Sequence, residues 1–121
     1  MWRRSKDRQA AFDRHGERRA ALGRALETEI ESLLADMKDK GELSVFTRFA
    51  PHSVEDGQGK DFMVGKEGED GVVRRFFGVT ISLHSWNEVK CRHPEVPQLC
   101  FPIGTKPETM RRRILELFDP P

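Results

Sequence analysis

Two apolar segments joined by a charged turn, within residues 59–83, constrain the fold of this chain more than any other feature. The first segment runs over residues 60–65, the turn over 66–71 and the second segment over 72–83. A short connection rich in glycine and acidic residues is typical of a β-hairpin. Because the second segment is rich in β-branched and aromatic residues, we predict that it is a central strand covered on both faces.

A long helix is predicted before the hairpin, from about residue 6 to residue 40. Gly41 tolerates the left-handed backbone found just beyond helix ends and supplies the stop. Residues 1–21 are expected to form a basic helical arm that packs weakly or meets a partner, and residues 22–121 an α/β domain. The buried face of the helix is predicted to consist of apolar residues at helical spacing: Leu22, Leu26, Ile30, Leu33, Leu34 and Met37.

The rest of the chain supplies two further strands and two helices. Alternating apolar residues predict a strand over 43–49, and a fourth strand is predicted over 98–103. Ser85 is expected to cap the helix before the fourth strand, and Thr105, with Glu108 three residues later, to cap the last helix. The order α-β-β-β-α-β-α therefore predicts an α/β fold with a small mixed four-stranded sheet flanked by helices.

Length, hydropathy and cysteine content limit the class of protein. A chain of 121 residues is long enough for one hydrophobic core. Its longest apolar run is far shorter than the ~20 residues that a membrane-spanning helix needs. Without a secretory signal pattern at its start, the chain is expected to be cytoplasmic and to have no membrane partner. Cys91 and Cys100 are expected to be core or near-core thiols rather than a disulfide.

Basic residues are concentrated near the N-terminus, although the net charge of the whole chain is only +1. Residues 1–24 hold eight Lys and Arg residues against three acidic ones. Such a cluster either contacts phosphates or forms a solvated helix face. If the partner is a nucleic acid, the residues expected to contact it are Arg3, Arg4, Arg18, Arg19 and Arg92.

Asp61 stands in the second predicted strand and Gly78-Val79-Thr80 in the third, and with this arrangement residues 22–118 resemble the restriction-endonuclease-like superfamily, whose core is written PD-(D/E)XK. In that family an aspartate and a D/E-x-K tripeptide hold one or two divalent ions. Some relatives read Gln-Val-Thr-Ser-Ser where this chain reads Gly-Val-Thr-Ile-Ser. The resemblance implies a domain that binds or cleaves nucleic acid, as a Mg²⁺-dependent phosphodiesterase if it is an enzyme. Because the tripeptide lacks both the acid and the lysine, the active site is predicted to be degenerate.

The missing groups are expected to come from helices. Glu29 lies at the edge of the buried stripe, and the first helix of relatives often contributes a glutamate, so Glu29 is predicted to be the second metal ligand beside Asp61. Lys90 is predicted to orient or activate the attacking water, with Lys60 as an alternative. The expected cofactor is Mg²⁺ or Mn²⁺, held by Asp61 and Glu29.

Two other functions remain open from the sequence alone. The chain could be a non-enzymatic interaction module that docks through its basic N-terminal helix onto a partner protein or RNA in a larger assembly. The other possibility is a structural zinc site, because His84, Cys91, His93 and Cys100 have suitable donor atoms. Their spacing, however, matches no short zinc-binding pattern.

Overall fold

The computed structural model describes the backbone of residues 2–120 and the side chains of residue 18 and residues 20–120. Its order of major elements is the predicted one, with one additional helical turn in the loop before the second strand and a 3₁₀ turn at the end. The elements are α1 (Trp2–Asp39), β1 (Val45–Arg48), α2 (Val54–Gly57), β2 (Phe62–Gly68), β3 (Gly71–Thr80), α3 (Leu83–Arg92), β4 (Gln98–Cys100), α4 (Pro107–Leu115) and a 3₁₀ turn (Glu116–Phe118).

The four strands form one sheet in the order β1-β2-β3-β4. Strands β1, β2 and β3 pair antiparallel, and β3 pairs parallel with β4 after the crossover through α3. The predicted fold class, a small mixed four-stranded sheet flanked by helices, is therefore confirmed. Strand β3 is central, as predicted, but it is not covered on both faces along its length. Val72, Val73 and Phe76 are 36–37% exposed, and burial begins only at Phe77.

Helix α1 is one continuous helix of 38 residues, which crosses the predicted arm boundary at residue 21 without a break. Its buried apolar residues follow the predicted spacing: Leu26, Ile30, Leu34 and Met37. Leu22 was predicted to be buried with them but is 36% exposed, because it lies at the rim of an apolar groove rather than in the core. Among the described residues, no helix is both long and apolar enough to cross a membrane.

The C-terminal end of α1 is fixed by Gly41, as predicted. Gly41 has φ +78°, a left-handed conformation that costs glycine little. Its N–H donates to Lys38 O at 3.0 Å, and the N–H of Glu42 donates to Met37 O at 2.9 Å. These two bonds are the Schellman arrangement, which satisfies carbonyls at the end of the helix and turns the chain into β1.

The core lies between one face of the sheet and helices α1 and α4. Phe62 of β2 and Phe77 of β3 stack with ring centroids 5.4 Å apart, and both are fully buried. Met110 and Ile114 bring α4 onto the same core. Helix α3 packs on β3 and β4 and contributes no buried residue of its own.

Two of the predicted helix caps are wrong. Helix α3 begins at Ser82, whose hydroxyl accepts from Ser85 N–H at 3.1 Å, so Ser85 lies inside the helix. The cause is that β3 ends earlier than predicted, which leaves the first serine free to act as the cap. Helix α4 begins after Lys106, which makes no side-chain cap bond. Thr105 Oγ1 instead donates to Pro102 O at 2.6 Å in the preceding turn.

The prediction for the two cysteines is also wrong for Cys91. Both are free thiols, as expected, but Cys91 is exposed and Cys100 is half-buried. Cys91 lies near the C-terminal end of α3, the helix that buries no residue fully. A thiol there is covered by neither the sheet nor another helix.

The stripe on α1 makes a stability prediction. Leu34→Ala removes a fully buried side chain and should lower the free energy of unfolding by about 2–5 kcal/mol. Leu22→Ala removes the same atoms from the rim of the groove and should cost less than about 1 kcal/mol. Urea denaturation of both variants measures the difference. Equal losses would show that α1 is packed as tightly at Leu22 as at Leu34.

Candidate functional site

Asp61 lies just before β2, at the point where β3 leaves β2 and begins to pair with β4. Its backbone is held on both sides: its N–H donates to Phe77 O at 2.9 Å, and its C=O accepts from Phe49 N–H at 2.9 Å. Its carboxylate Oδ2 accepts from Val79 N–H at 2.8 Å. The side chain is therefore held against the backbone of β3 and does not extend freely into solvent.

Glu27 of α1 brings a second carboxyl group to Asp61. The two lie close enough for each to affect the other: the charge of Asp61 raises the pKa of Glu27, and Glu27 as a hydrogen-bonding neighbour lowers the pKa of Asp61. Burial is the main cause that raises the pKa of Asp61, and the nearby charge of Asp56 adds to it, while the Val79 N–H acts in the opposite direction. Burial also raises the pKa of Glu27, and repulsion from Asp61 adds to that. The pair therefore retains a proton to higher pH than isolated carboxyl groups do.

Arg48 of β1 supplies the cation next to this pair. Its guanidinium lies 3.9 Å from Glu27 Oε2 and 2.9 Å from Glu31 Oε2, and it donates to Thr28 Oγ1 at 3.2 Å. The charge of Arg48 lowers the pKa of Glu27, but burial and Asp61 outweigh it. The sequence pointed to neither Arg48 nor Glu27, because both contacts depend on how α1 crosses the sheet.

Glu29, predicted as the second metal ligand, lies elsewhere. Its side chain is exposed and lines the apolar groove that also contains Leu22, Ile103 and Thr105. Successive residues of a helix are about 100° apart, so side chains two positions apart point to nearly opposite sides. The structure brings Glu27, rather than Glu29, to Asp61.

The two predicted lysines each lie over an aromatic ring. Lys90 Nζ is 4.0 Å from the ring centroid of Trp86, and Lys60 Nζ is 4.5 Å from that of Phe76. Among the described residues, neither lysine belongs to the groups that shift the pKa of Asp61. Thus neither ammonium is paired with the carboxylates in this structure.

The residues predicted to contact nucleic acid are only partly described. Arg18 and Arg92 are exposed. The side chains of Arg3, Arg4 and Arg19 lie outside the described residues.

Gly78, where the resemblance to the nuclease superfamily predicts an acid, is closely covered by Gln98 and by the carbonyl of Gly59. A Cβ atom at Gly78 would lie inside van der Waals contact with Gln98 Oε1 and 2.5 Å from Gly59 O. Gln98 is buried, and its Nε2 donates to Gly59 O at 2.9 Å. A larger side chain at residue 78 has no room, so an acidic side chain does not fit at this position in the present packing. Thr80, at the lysine position, has a buried hydroxyl with no hydrogen-bond partner among the described residues.

The side chains suggested for zinc do not form a described cluster. His84 Nε2 lies 3.2 Å from Glu88 Oε1 on the exposed side of α3, and Cys91 is exposed. Over residue 18 and residues 20–120, no three His, Cys, Asp or Glu side chains are grouped so as to hold a metal ion.

Comparisons with protein-family models, with curated proteins and with solved structures find no match to this chain.

The raised pKa of Asp61 makes a prediction about stability and pH. Because the pKa is higher in the folded than in the unfolded state, its contribution to stability is complete at low pH and is lost as the pH rises through the folded value. Asp61→Asn keeps an acceptor for Val79 N–H and removes the charge. We expect this variant to be more stable than the wild type by on the order of 1 kcal/mol near neutral pH, and the gain to disappear in acid.

Thermal denaturation across the pH range measures this effect. Glu29→Gln is the matched control, because it neutralises an exposed carboxylate on α1 and should change stability little at any pH. A loss of stability in Asp61→Asn at neutral pH would contradict the proposed cost of burying the charged Asp61 carboxylate.

The packing at Gly78 makes a second prediction. Gly78→Ala should lower the free energy of unfolding by about 1–3 kcal/mol because its Cβ meets Gln98 and the Gly59 carbonyl. Combining it with Gln98→Ala removes only the first clash, so the two losses should not add. Gly23→Ala in α1, where nothing lies within 4 Å, should instead gain up to about 1 kcal/mol. Urea denaturation of the three variants and of Gln98→Ala tests this.

Proposed function

We propose that this chain is a restriction-endonuclease-like domain that binds a divalent cation through Asp61 and Glu27 and acts on phosphodiesters of nucleic acid. The observation that carries the proposal is the proximity of two carboxyl groups at the end of the central hairpin, Asp61 immediately before β2 and Glu27 on α1. The order of elements, with an aspartate at the start of the second strand, also resembles that superfamily. The pair replaces the one expected from the sequence, Asp61 with Glu29.

The donor set fits Mg²⁺ or Mn²⁺. Mg²⁺ is commonly bound by one or two protein carboxylates, with waters and substrate phosphate oxygens completing its coordination. Burial is the main cause of the raised pKa values of Asp61 and Glu27, and a divalent cation would stabilise their charged forms. When bound, such an ion polarises a phosphodiester and lowers the pKa of a water.

The protein groups around the pair have separate roles in this proposal. Val79 N–H fixes the orientation of the Asp61 carboxylate. Arg48 holds Glu27 and Glu31 on the side of β1 and offsets part of the acidic charge. The lysine of the family motif has no counterpart beside Asp61, and on this account we expect weak cleavage at most.

A nicking assay with plasmid and with single-stranded DNA and RNA, in Mg²⁺ or Mn²⁺ and in EDTA, tests the proposal. Asp61→Asn and Glu27→Gln should each lower a metal-dependent rate by at least about 100-fold, because each removes a charged ligand. Glu29→Gln should retain the wild-type rate. No cleavage by the wild type, or full cleavage by Asp61→Asn, would exclude the enzymatic function.

Metal binding has a separate readout. Mn²⁺ should raise the melting temperature of the wild type and of Glu29→Gln at neutral pH, and this rise should be lost in Asp61→Asn and Glu27→Gln. It should also shrink in acid, where the carboxyl groups are protonated. A metal-induced shift that survives both substitutions would place the cation elsewhere.

A further inference from the structure

The face of the sheet opposite the core is open over part of β3. Phe76 lies on this face, opposite Met63 of β2, and is 36% exposed. The ring of Phe49, which follows β1, stacks on it with centroids 6.1 Å apart and an interplanar angle of 16°. Helix α3 packs on β3 and β4. Two aromatic rings thus remain on the sheet surface next to solvent.

Basic side chains surround these rings. A shallow surface depression beside Phe76 has Lys60, Arg74 and Arg75 in its lining, against one acidic side chain, Glu95. The side chain of Arg75 points to the opposite face, where its Nε donates to the carbonyl of Leu117 at 3.1 Å and its guanidinium lies over Phe118, so Lys60 and Arg74 are the cations of the open face. Among the described residues, Lys60 and Arg74 make no ion pair with a carboxylate. The depression is therefore electropositive.

The combination of flat aromatic surface and unpaired cations selects among possible partners. A polyanion would pair with the charges of Lys60 and Arg74, but a polyanion without planar groups would leave the Phe76 ring exposed to water. Single-stranded nucleic acid supplies both complements, phosphates for cations and planar bases for aromatic rings. A duplex keeps its bases stacked inside and presents mainly phosphates to a sheet surface.

We infer that this face binds single-stranded nucleic acid, with a base packed against Phe76 and phosphates contacting Lys60 and Arg74. The ammonium of Lys60 lies over the Phe76 ring at 4.5 Å, and a cation–π contact on an exposed ring is weak. Lys60 exchanges this contact for a phosphate, which uncovers the ring for the base.

The inference that this surface binds single-stranded nucleic acid does not depend on the proposed cleavage. The inference that single-stranded nucleic acid is the substrate rests on the proposed function. The test is therefore binding in EDTA, with no divalent cation and no cleavage, so that failure of the enzymatic proposal leaves the result interpretable.

Fluorescence anisotropy of labelled oligonucleotides of about 12 nucleotides, single-stranded and duplex, measures the affinity. We expect the full chain to bind the single strand more tightly than the duplex. Phe76→Leu, which keeps an apolar side chain and removes the ring, should weaken this binding about tenfold. Lys60→Ala and Arg74→Ala should each weaken it and reduce the slope of log affinity against log salt by about 1.

Lys38→Ala is the matched control, because Lys38 is an exposed lysine at the end of α1. It should leave binding unchanged, and circular dichroism should show that every variant remains folded. Three outcomes would overturn the inference: equal affinity for the duplex, no effect of Phe76→Leu, or competition by polyglutamate as effective as that by the oligonucleotide. The last outcome would identify the partner as an acidic protein segment.

The N-terminal arginines provide a further discrimination. If alanine at Arg3, Arg4, Arg18 and Arg19 together abolishes binding while the Lys60 and Phe76 variants bind normally, the nucleic-acid site is the arm of α1 and the inference is wrong. If the wild type cleaves nucleic acid but Phe76→Leu binds it normally, the proposed function stands and the sheet-face site does not.

Discussion

The backbone N–H of Val79 imposes the constraint on which the site depends. Up to Phe77, β3 is bonded to β2, and from Gly78 it pairs with β4. The N–H of Val79 points toward the side of β2, but β2 begins only at Phe62 and does not extend alongside Val79. No carbonyl of β2 is therefore available to this N–H. A partly buried N–H needs an acceptor, and the Asp61 carboxylate supplies it at 2.8 Å. The Asp61 carboxylate thus accepts the hydrogen bond that a carbonyl of a neighbouring strand would otherwise accept.

Elements whose signals are local were predictable from the sequence. The helical spacing of apolar residues gave α1, the glycine at position 41 gave its end, and alternation around the acidic turn gave the hairpin. Helix starts were less predictable, because two serines three residues apart, Ser82 and Ser85, are equally good caps. The choice between them depends on where β3 stops pairing, and pairing is a property of two strands. At α4, where Thr105 was expected, the threonine bonds within the preceding turn instead.

The composition of the site was less predictable than the fold, for a geometrical reason. Asp61 could be found because its strand position is visible in the sequence. Glu27 and Glu29 flank the same apolar stripe on opposite sides, and only the packing of α1 on the sheet decides which one meets Asp61. The same holds for Gln98, which is twenty residues from Gly78 in sequence and adjacent to it only through parallel pairing. Helices and strands leave a periodic pattern of apolar residues in the sequence, whereas a contact between two distant segments leaves none.

The left-handed cap at Gly41 has a consequence for changes in chain length. It fixes the end of α1 against β1. Because the helix is uninterrupted, the position of Glu27 depends on the number of residues between Glu27 and Gly41. One residue inserted or removed between Glu27 and Gly41 would turn the carboxyl by about 100° and shift it by about 1.5 Å along the axis. The same change before Glu27 would leave it in place. Only the part of α1 before Leu26 is therefore free to lengthen or shorten while both the buried stripe and the carboxyl pair are kept.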